Sequence, residues 1–175
     1  IDISGCVVDP AVATGLSVIL AQTGGDRAIL THAGSMAALT AGQIDRALLA
    51  QARHLHVGSF FLLDALRHDL PALFHDARRA GLTTSLDTNY DPAGRWETGD
   101  MLAECDVFLP NAAEALAISG VADLPAALDA LAARVPVLAV KLGAEGGVAR
   151  RFGRRPLGEC AGRTRQPVPA RCGER

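Results

Sequence analysis

Residues 85–96 read SLDTNYDPAGRW, residues 105–120 read CDVFLPNAAEALAISG, and residues 135–147 read VPVLAVKLGAEGG. Each segment is a short apolar strand that runs into polar or glycine-rich sequence. In an open α/β sheet, ligands bind just outside the carboxyl ends of the strands. The three ends carry Asp87 and Asn89, then Asn111 and Glu114, then Lys141 with Gly143 and Gly146. These are the candidate site residues.

Working outward, strand and helix patterns alternate from residue 40 to residue 147. Thr40 with Gln43 has capping-box spacing, which predicts a helix to about residue 52. A strand follows over 54–58, then helices over 60–67 and 71–80, the second closed by Gly81. Next come a strand over 83–87, a short helix over 97–104 and a strand over 106–109. A helix over 111–119 ends at Gly120. Asp123 and Pro125 start another, which turns Leu128 and Leu131 inward. A strong strand covers 136–142, and a further one begins near 147–150. Such alternation predicts parallel strands joined by right-handed crossovers, with helices on both faces of the sheet. Ahead of it, residues 2–9 read as a strand with a turn at Asp9-Pro10. Strands over 16–21 and 27–31 flank two glycines, a hairpin signal. That hairpin suits either a flap over a ligand or an ordinary sheet edge.

At 175 residues the prior is one domain, and 49% hydrophobic residues with 21% charged argue against wholesale disorder. A net charge of −2 argues against a generally basic nucleic-acid binder. No apolar run reaches membrane-span length. The first residue, Ile1, reads as an entry in mid-domain, without the basic and apolar regions of a signal sequence. Cys6, Cys105, Cys160 and Cys172 match no zinc or CxxC spacing. Cys105 reads as a small buried hydrophobe, and a reduced cytoplasmic protein is the simplest expectation. His54 and His56 share one face of a strand, which is half of a metal site with no third ligand in view.

Each strand end supports two readings. Asp87 and Asn89 can hold substrate hydroxyls, but the same residue types favour turns. Asn111 and Glu114 lie on one face of a helix start, where the dipole suits phosphate, yet the spacing is also that of ordinary capping. Lys141 offers a cation beside glycines that admit a close nucleotide. The same glycines would serve a hairpin turn.

The ordered set Asp-x-Asn, Leu-Pro-Asn-x-x-Glu and Val-Lys-Leu-Gly-x-x-Gly resembles the ribokinase-like (PfkB-type) carbohydrate kinases over roughly residues 1–149. Residues 13–16 and 26–31 resemble part of that family's lid. The resemblance implies a three-layer α/β/α fold with a mostly parallel sheet and part of a β lid, truncated at both ends. It divides the chain into a partial lid at 1–35, a kinase core at 36–149 and a basic irregular tail at 150–175. It implies transfer of the ATP γ-phosphoryl group to a sugar-like alcohol with Mg²⁺. By the resemblance, Asn111, Glu114, Lys141, Gly143 and Gly146 lie by the nucleotide, and Glu114 acts on the metal through water. Asp87 and Asn89 fall to the sugar. Asp91 stands where the family often has an Arg, which makes a sugar acid a less favoured substrate. Family members often dimerise through the lid, and that requires a complete lid.

The family's Gly-Ala-Gly-Asp motif, with its anion hole and catalytic base, is not in this sequence. Neither is the glycine-rich, Asn-bearing segment that precedes the lid. No catalytic base is therefore assigned, and little or no activity is expected. The alternative is a non-catalytic nucleotide- or sugar-binding module. Residues 150–175 are rich in Arg, Gly, Pro and Cys without apolar periodicity, and read as a frameshift product or remnant. A genuine basic tail for an anionic partner is the rival reading. A truncated sheet is expected to leave an apolar face and a strand edge open, giving a marginal or aggregation-prone chain.

Overall fold

The computed structural model describes residues 3, 5–23 and 27–151, and the backbone of 158–161. The expected segments at 2–9 and 22–26 lie partly outside these residues, as does most of the basic tail. Two sheets form. β1 (Leu16–Ala21) and β2 (Arg27–His32) pair antiparallel as an isolated hairpin. The six-stranded sheet runs in chain order: β3 (His54–Gly58), β4 (Thr83–Asp87), β5 (Val107–Phe108), β6 (Val137–Lys141), β7 (Gly146–Arg151) and β8 (Gly158–Ala161). β3 to β6 are parallel, and β7 and β8 are added antiparallel. β8 lies within the stretch expected to be irregular.

The helices are α1 (Ser35–Ala38), α2 (Arg46–Gln51), α3 (Leu70–Arg79), α4 (Ala112–Ser119) and α5 (Leu124–Ala132). Strands added in one direction by right-handed crossovers put α3, α4 and α5 on a single face. The register confirms which face. Val57, Leu86, Phe108 and Leu138 align across four strands, and all are buried. They meet Leu70, Leu73 and Phe74 of α3, Ala115 and Ile118 of α4, and Leu128 and Leu131 of α5 in one core. Each such side chain contributes about 1.5–3 kcal/mol on burial. Most alternate residues are less covered: His54 and His56 are exposed and Val107 and Val137 half-buried, although Ser85 between them is buried.

Several elements depart from expectation for local reasons. The Thr40–Gln43 pair does close, with Thr40 N–H donating to Gln43 Oε1 at 2.8 Å, but it caps only a 3₁₀ turn at Ala41–Gln43. Asp45 then captures the N–H of Ala47 at 2.7 Å and starts α2 afresh. Asp side chains compete in this way with helix continuation. Residues 60–67 form a 3₁₀ turn at Phe60–Leu62 and then irregular turns. Phe60, Phe61, Leu63 and Leu66 are all buried, and no single helix face could bury that set. The helix expected over 97–104 is a 3₁₀ turn at Gly99–Leu102. No strand forms among the described residues of 2–9. The N–H of Ala11 donates to Asp9 Oδ1 at 2.8 Å, so the chain turns there as Asp9-Pro10 predicts.

Candidate active site at the strand ends

The carboxyl ends of β3, β4, β5 and β6 lie side by side, and hydrogen bonds link Ser59, Asn89, Asp87 and Lys141 across them. Asp87, the last residue of β4, stands in register with Gly58 of β3. Its Oδ1 accepts the Asn89 N–H at 3.4 Å, and its Oδ2 accepts from Lys141 Nζ at 2.5 Å. Asn89 sits in the left-handed region at φ 52°, and its amide donates to Ser59 Oγ at 3.2 Å. Past β5, Asn111 bridges to Lys141, whose N–H donates to the carbonyl of Pro110 at 2.9 Å. Asp87, expected at the substrate, and Lys141, expected at the nucleotide, are separate in the sequence and in contact here.

Asn111 and Glu114 form a complete capping box on α4. Glu114 N–H donates to Asn111 Oδ1 at 2.9 Å, and Asn111 N–H returns to Glu114 Oε2 at 2.9 Å. The Asn111 amide adds a donation to Glu114 Oε1 at 2.6 Å. Glu114 is 5% exposed, so its carboxylate is held by these bonds rather than by water. The capping reading is therefore realised. Gly143 and Gly146 have φ of 62° and 97° around a 3₁₀ turn that leads into β7. A Cβ on Gly143 would meet nothing within 4 Å. Its glycine answers a left-handed backbone, not a crowded one, so the turn reading suffices for it.

Asp91 does not face this cluster. It is 3% exposed and accepts N–H donations from Ala93 at 2.9 Å, Arg95 at 2.8 Å and Trp96 at 2.7 Å. Burial pushes its carboxyl up, but those donors and the Arg95 charge outweigh it and hold the group below the ordinary carboxylate range. The loop so fixed sets Trp96 edge-on to both Phe61 and Tyr90.

A pfkB-family carbohydrate kinase profile matches residues 1–165. The chain belongs to the pfkB family of carbohydrate kinases. No curated protein matches it. Its fold is similar to that of adenosine kinase from Sinorhizobium meliloti, with a TM-score of 0.77 at 22% identity over 89% of this chain and 49% of that one. A PfkB protein from Polaromonas sp. JS666 gives 0.70 at 24% identity, over 89% and 56%. Arabidopsis thaliana ribokinase, solved with ribose and ATP, gives 0.65 at 17% identity, over 86% and 49%. The chain thus spans about half the length of the solved structures it matches, with a ribokinase-like α/β fold.

In this pfkB-family chain a cavity of ≈ 640 Å³ lies away from the strand ends, between residues 5–12 and α1–α2. Its lining is mostly apolar, and the convergent charged groups lie elsewhere, so the strand ends remain the candidate site. Sequence reasoning missed Ser59, which sits at φ 59° just past β3 and holds Asn89. Its only signal was its place at a fourth strand end. It also missed Thr88, fully buried with no hydrogen-bond partner for its hydroxyl.

The His54–His56 pair is occupied otherwise. Thr83 Oγ1 donates to the carbonyl of Arg53, so it accepts from His54 Nδ1 at 2.7 Å. His54 Nε2 then accepts from Ser85 Oγ, which in turn accepts from His56 Nδ1, each at 2.7 Å. Both His54 nitrogens are used, and among the described residues no three His, Cys, Asp or Glu are grouped to hold a metal. Among them, too, no single helix is long and apolar enough to cross a membrane.

Proposed function

We propose that the protein to which this chain belongs phosphorylates a sugar or sugar-like alcohol with ATP. The observation that carries this reading is the contact of Lys141 with Asp87 over the β5 end, beside the capped N-terminus of α4. A cation and a helix N-terminus suit phosphates, and a carboxylate with an amide suits hydroxyls. Asn111, Lys141, Gly143 and Gly146 would line the nucleotide phosphates, with Asp87 and Asn89 toward the acceptor. Asp91 is turned into its own loop and offers a substrate carboxylate nothing, so a neutral sugar is favoured over a sugar acid.

Mg²⁺ normally keeps several waters and takes one or two carboxylates plus phosphates. Glu114, both of whose oxygens already accept hydrogen bonds, fits that role through water and not as a direct ligand. When bound, the ion would neutralise charge developing on the phosphates.

We assign 1–35 to a partial lid, 36–149 to the kinase core and 150–175 to a basic tail, in a cytoplasmic protein. A frameshifted origin of the tail belongs to the same reading, as does dimerisation through a complete lid. The sequence holds no Gly-Ala-Gly-Asp, so the 175-residue chain is expected to bind nucleotide with little or no turnover. Calorimetry with ATP and Mg²⁺ tests the first half: heat of binding lost in Glu114→Ala supports the reading, and no heat from the parent chain sinks it. Sugar-dependent ADP release above that of Glu114→Ala would overturn the second half. Binding without turnover is also what a non-catalytic nucleotide module would show. Turnover by a longer chain carrying the missing motif separates the two.

A further inference from the structure

Lys141 and Asp87 belong to strands that are not neighbours. β5 lies between β4 and β6, so the lysine side chain reaches across the end of β5 to find its carboxylate. The Lys141 backbone is tied to that same end, through its N–H to Pro110 and its bridge to Asn111. The lysine is thus fixed at its base and directed at its tip, with Asn111 and the start of α4 beside it. Its carboxylate partner is the residue assigned to the acceptor alcohol.

The pair is open to solvent, with the side chains 49% and 21% exposed. Exposed pairs of this kind shift an equilibrium by no more than about fivefold, so a multivalent anion can displace one. Glu114 is engaged by Asn111 through both of its oxygens, and Asp87 is the carboxylate that holds the lysine. Only the Oδ2 of Asp87 is committed to Lys141; Oδ1 is held by the Asn89 N–H. Removing the lysine would therefore leave an aimed carboxylate with one free oxygen.

We propose that the Asp87–Lys141 pair is a latch opened by phosphate. An arriving polyphosphate takes the Lys141 ammonium, and the released Asp87 oxygen becomes the acceptor for a hydroxyl of the alcohol substrate. Phosphate on Lys141 and alcohol on Asp87 then promote each other's binding. No covalent bond changes; one ion pair is exchanged for another. The proposal rests on the kinase reading above, and adds to it a coupling between the two ligands.

The probe is tripolyphosphate, titrated by calorimetry into the full chain and its Asp87→Asn, Lys141→Gln, Lys141→Arg and double Asn/Gln variants. Asp87→Asn should tighten binding by about two- to fivefold, the worth of the pair it removes. Lys141→Gln should weaken it by about tenfold, the worth of a charge-assisted contact, and Lys141→Arg should restore most of that. In the Lys141→Gln background, Asp87→Asn should change nothing. An equal gain in both backgrounds would mean simple charge repulsion and would overturn the latch, as would no gain in either. The unsubstituted chain supplies a second reading that needs no variant to fold. The ¹³C signal of the Asp87 carboxyl should move on saturation with tripolyphosphate, and a stationary signal also overturns the latch. If neither tripolyphosphate nor ATP binds the parent chain, the kinase reading falls and the latch with it. If they bind with additive Asp87 and Lys141 effects, only the latch falls.

Discussion

Asp91 shows how one residue can look like a substrate contact and serve the backbone instead. In sequence it follows Asp87 and Asn89 at the same two-residue interval, and only the fold shows its carboxylate turned onto Ala93, Arg95 and Trp96. Asp91→Ala strands these donors and should cost about 1–3 kcal/mol, read as a fall in the urea midpoint. The pH dependence follows from its lowered carboxyl. A group that holds its proton less tightly folded than unfolded stabilises above the unfolded value, about 3.9 for Asp, and loses that contribution as pH falls through the folded value. Acid unfolding below about pH 4 should therefore be less steep in Asp91→Asn than in the parent chain. Cys105 is the opposite case. Burial pushes its thiol up to about 12, and its Sγ–H donates to the carbonyl of Val107 at 3.0 Å. Mass spectrometry after alkylation at neutral pH should find Cys105 unmodified in the folded chain and modified in urea.

The helices divide at the element scale into those that carry the core and those that aim the site. α3 was legible because its apolar residues recur on one face and Pro71 and Gly81 bound it. Its Leu70, Leu73, Phe74 and Ala77 are buried as that pattern requires. Phe74→Ala should cost about 3–5 kcal/mol, enough to unfold a marginal domain, and circular dichroism against urea would show it. α4 is short, and its start depends on Asn111. Asn111→Ala removes the cap and should cost about 1 kcal/mol in the same assay, whatever its effect on nucleotide. A stability unchanged within a few tenths would contradict the capping geometry. Residues 60–67 and 97–104 do not form the helices expected of them. In the first, burial of Phe60, Phe61, Leu63 and Leu66 overrides local preference, and in the second Gly99 turns left-handed at φ 52°.

On the scale of the whole molecule, β1 and β2 carry the main group of exposed apolar side chains among the described residues. Every residue of strands β1 and β2 is exposed, including Leu16, Ile19, Leu20, Ile29 and Leu30. Ile19 and Ile29 stand opposite each other across the pair. Exposed apolar strands of this kind promote association and aggregation. Light scattering of the 175-residue chain should rise with concentration, and replacing Ile19 and Ile29 with Thr should reduce it without lowering the urea midpoint of the main core. A sharp, reversible melt of a monomer would contradict this.

The alternation of strands and helices, the hairpin, the α/β class and the positions of the strand ends were set by the sequence alone. They follow from residue periodicity, caps and turns, which act over a few neighbours. The order of strands β3 to β8, the burial of Asp91 and the joining of Asp87 to Lys141 were decided only by tertiary structure. Asp87 and Lys141 are 54 positions apart, on strands separated by a third. No local pattern encodes a contact that exists only once the sheet between them has formed.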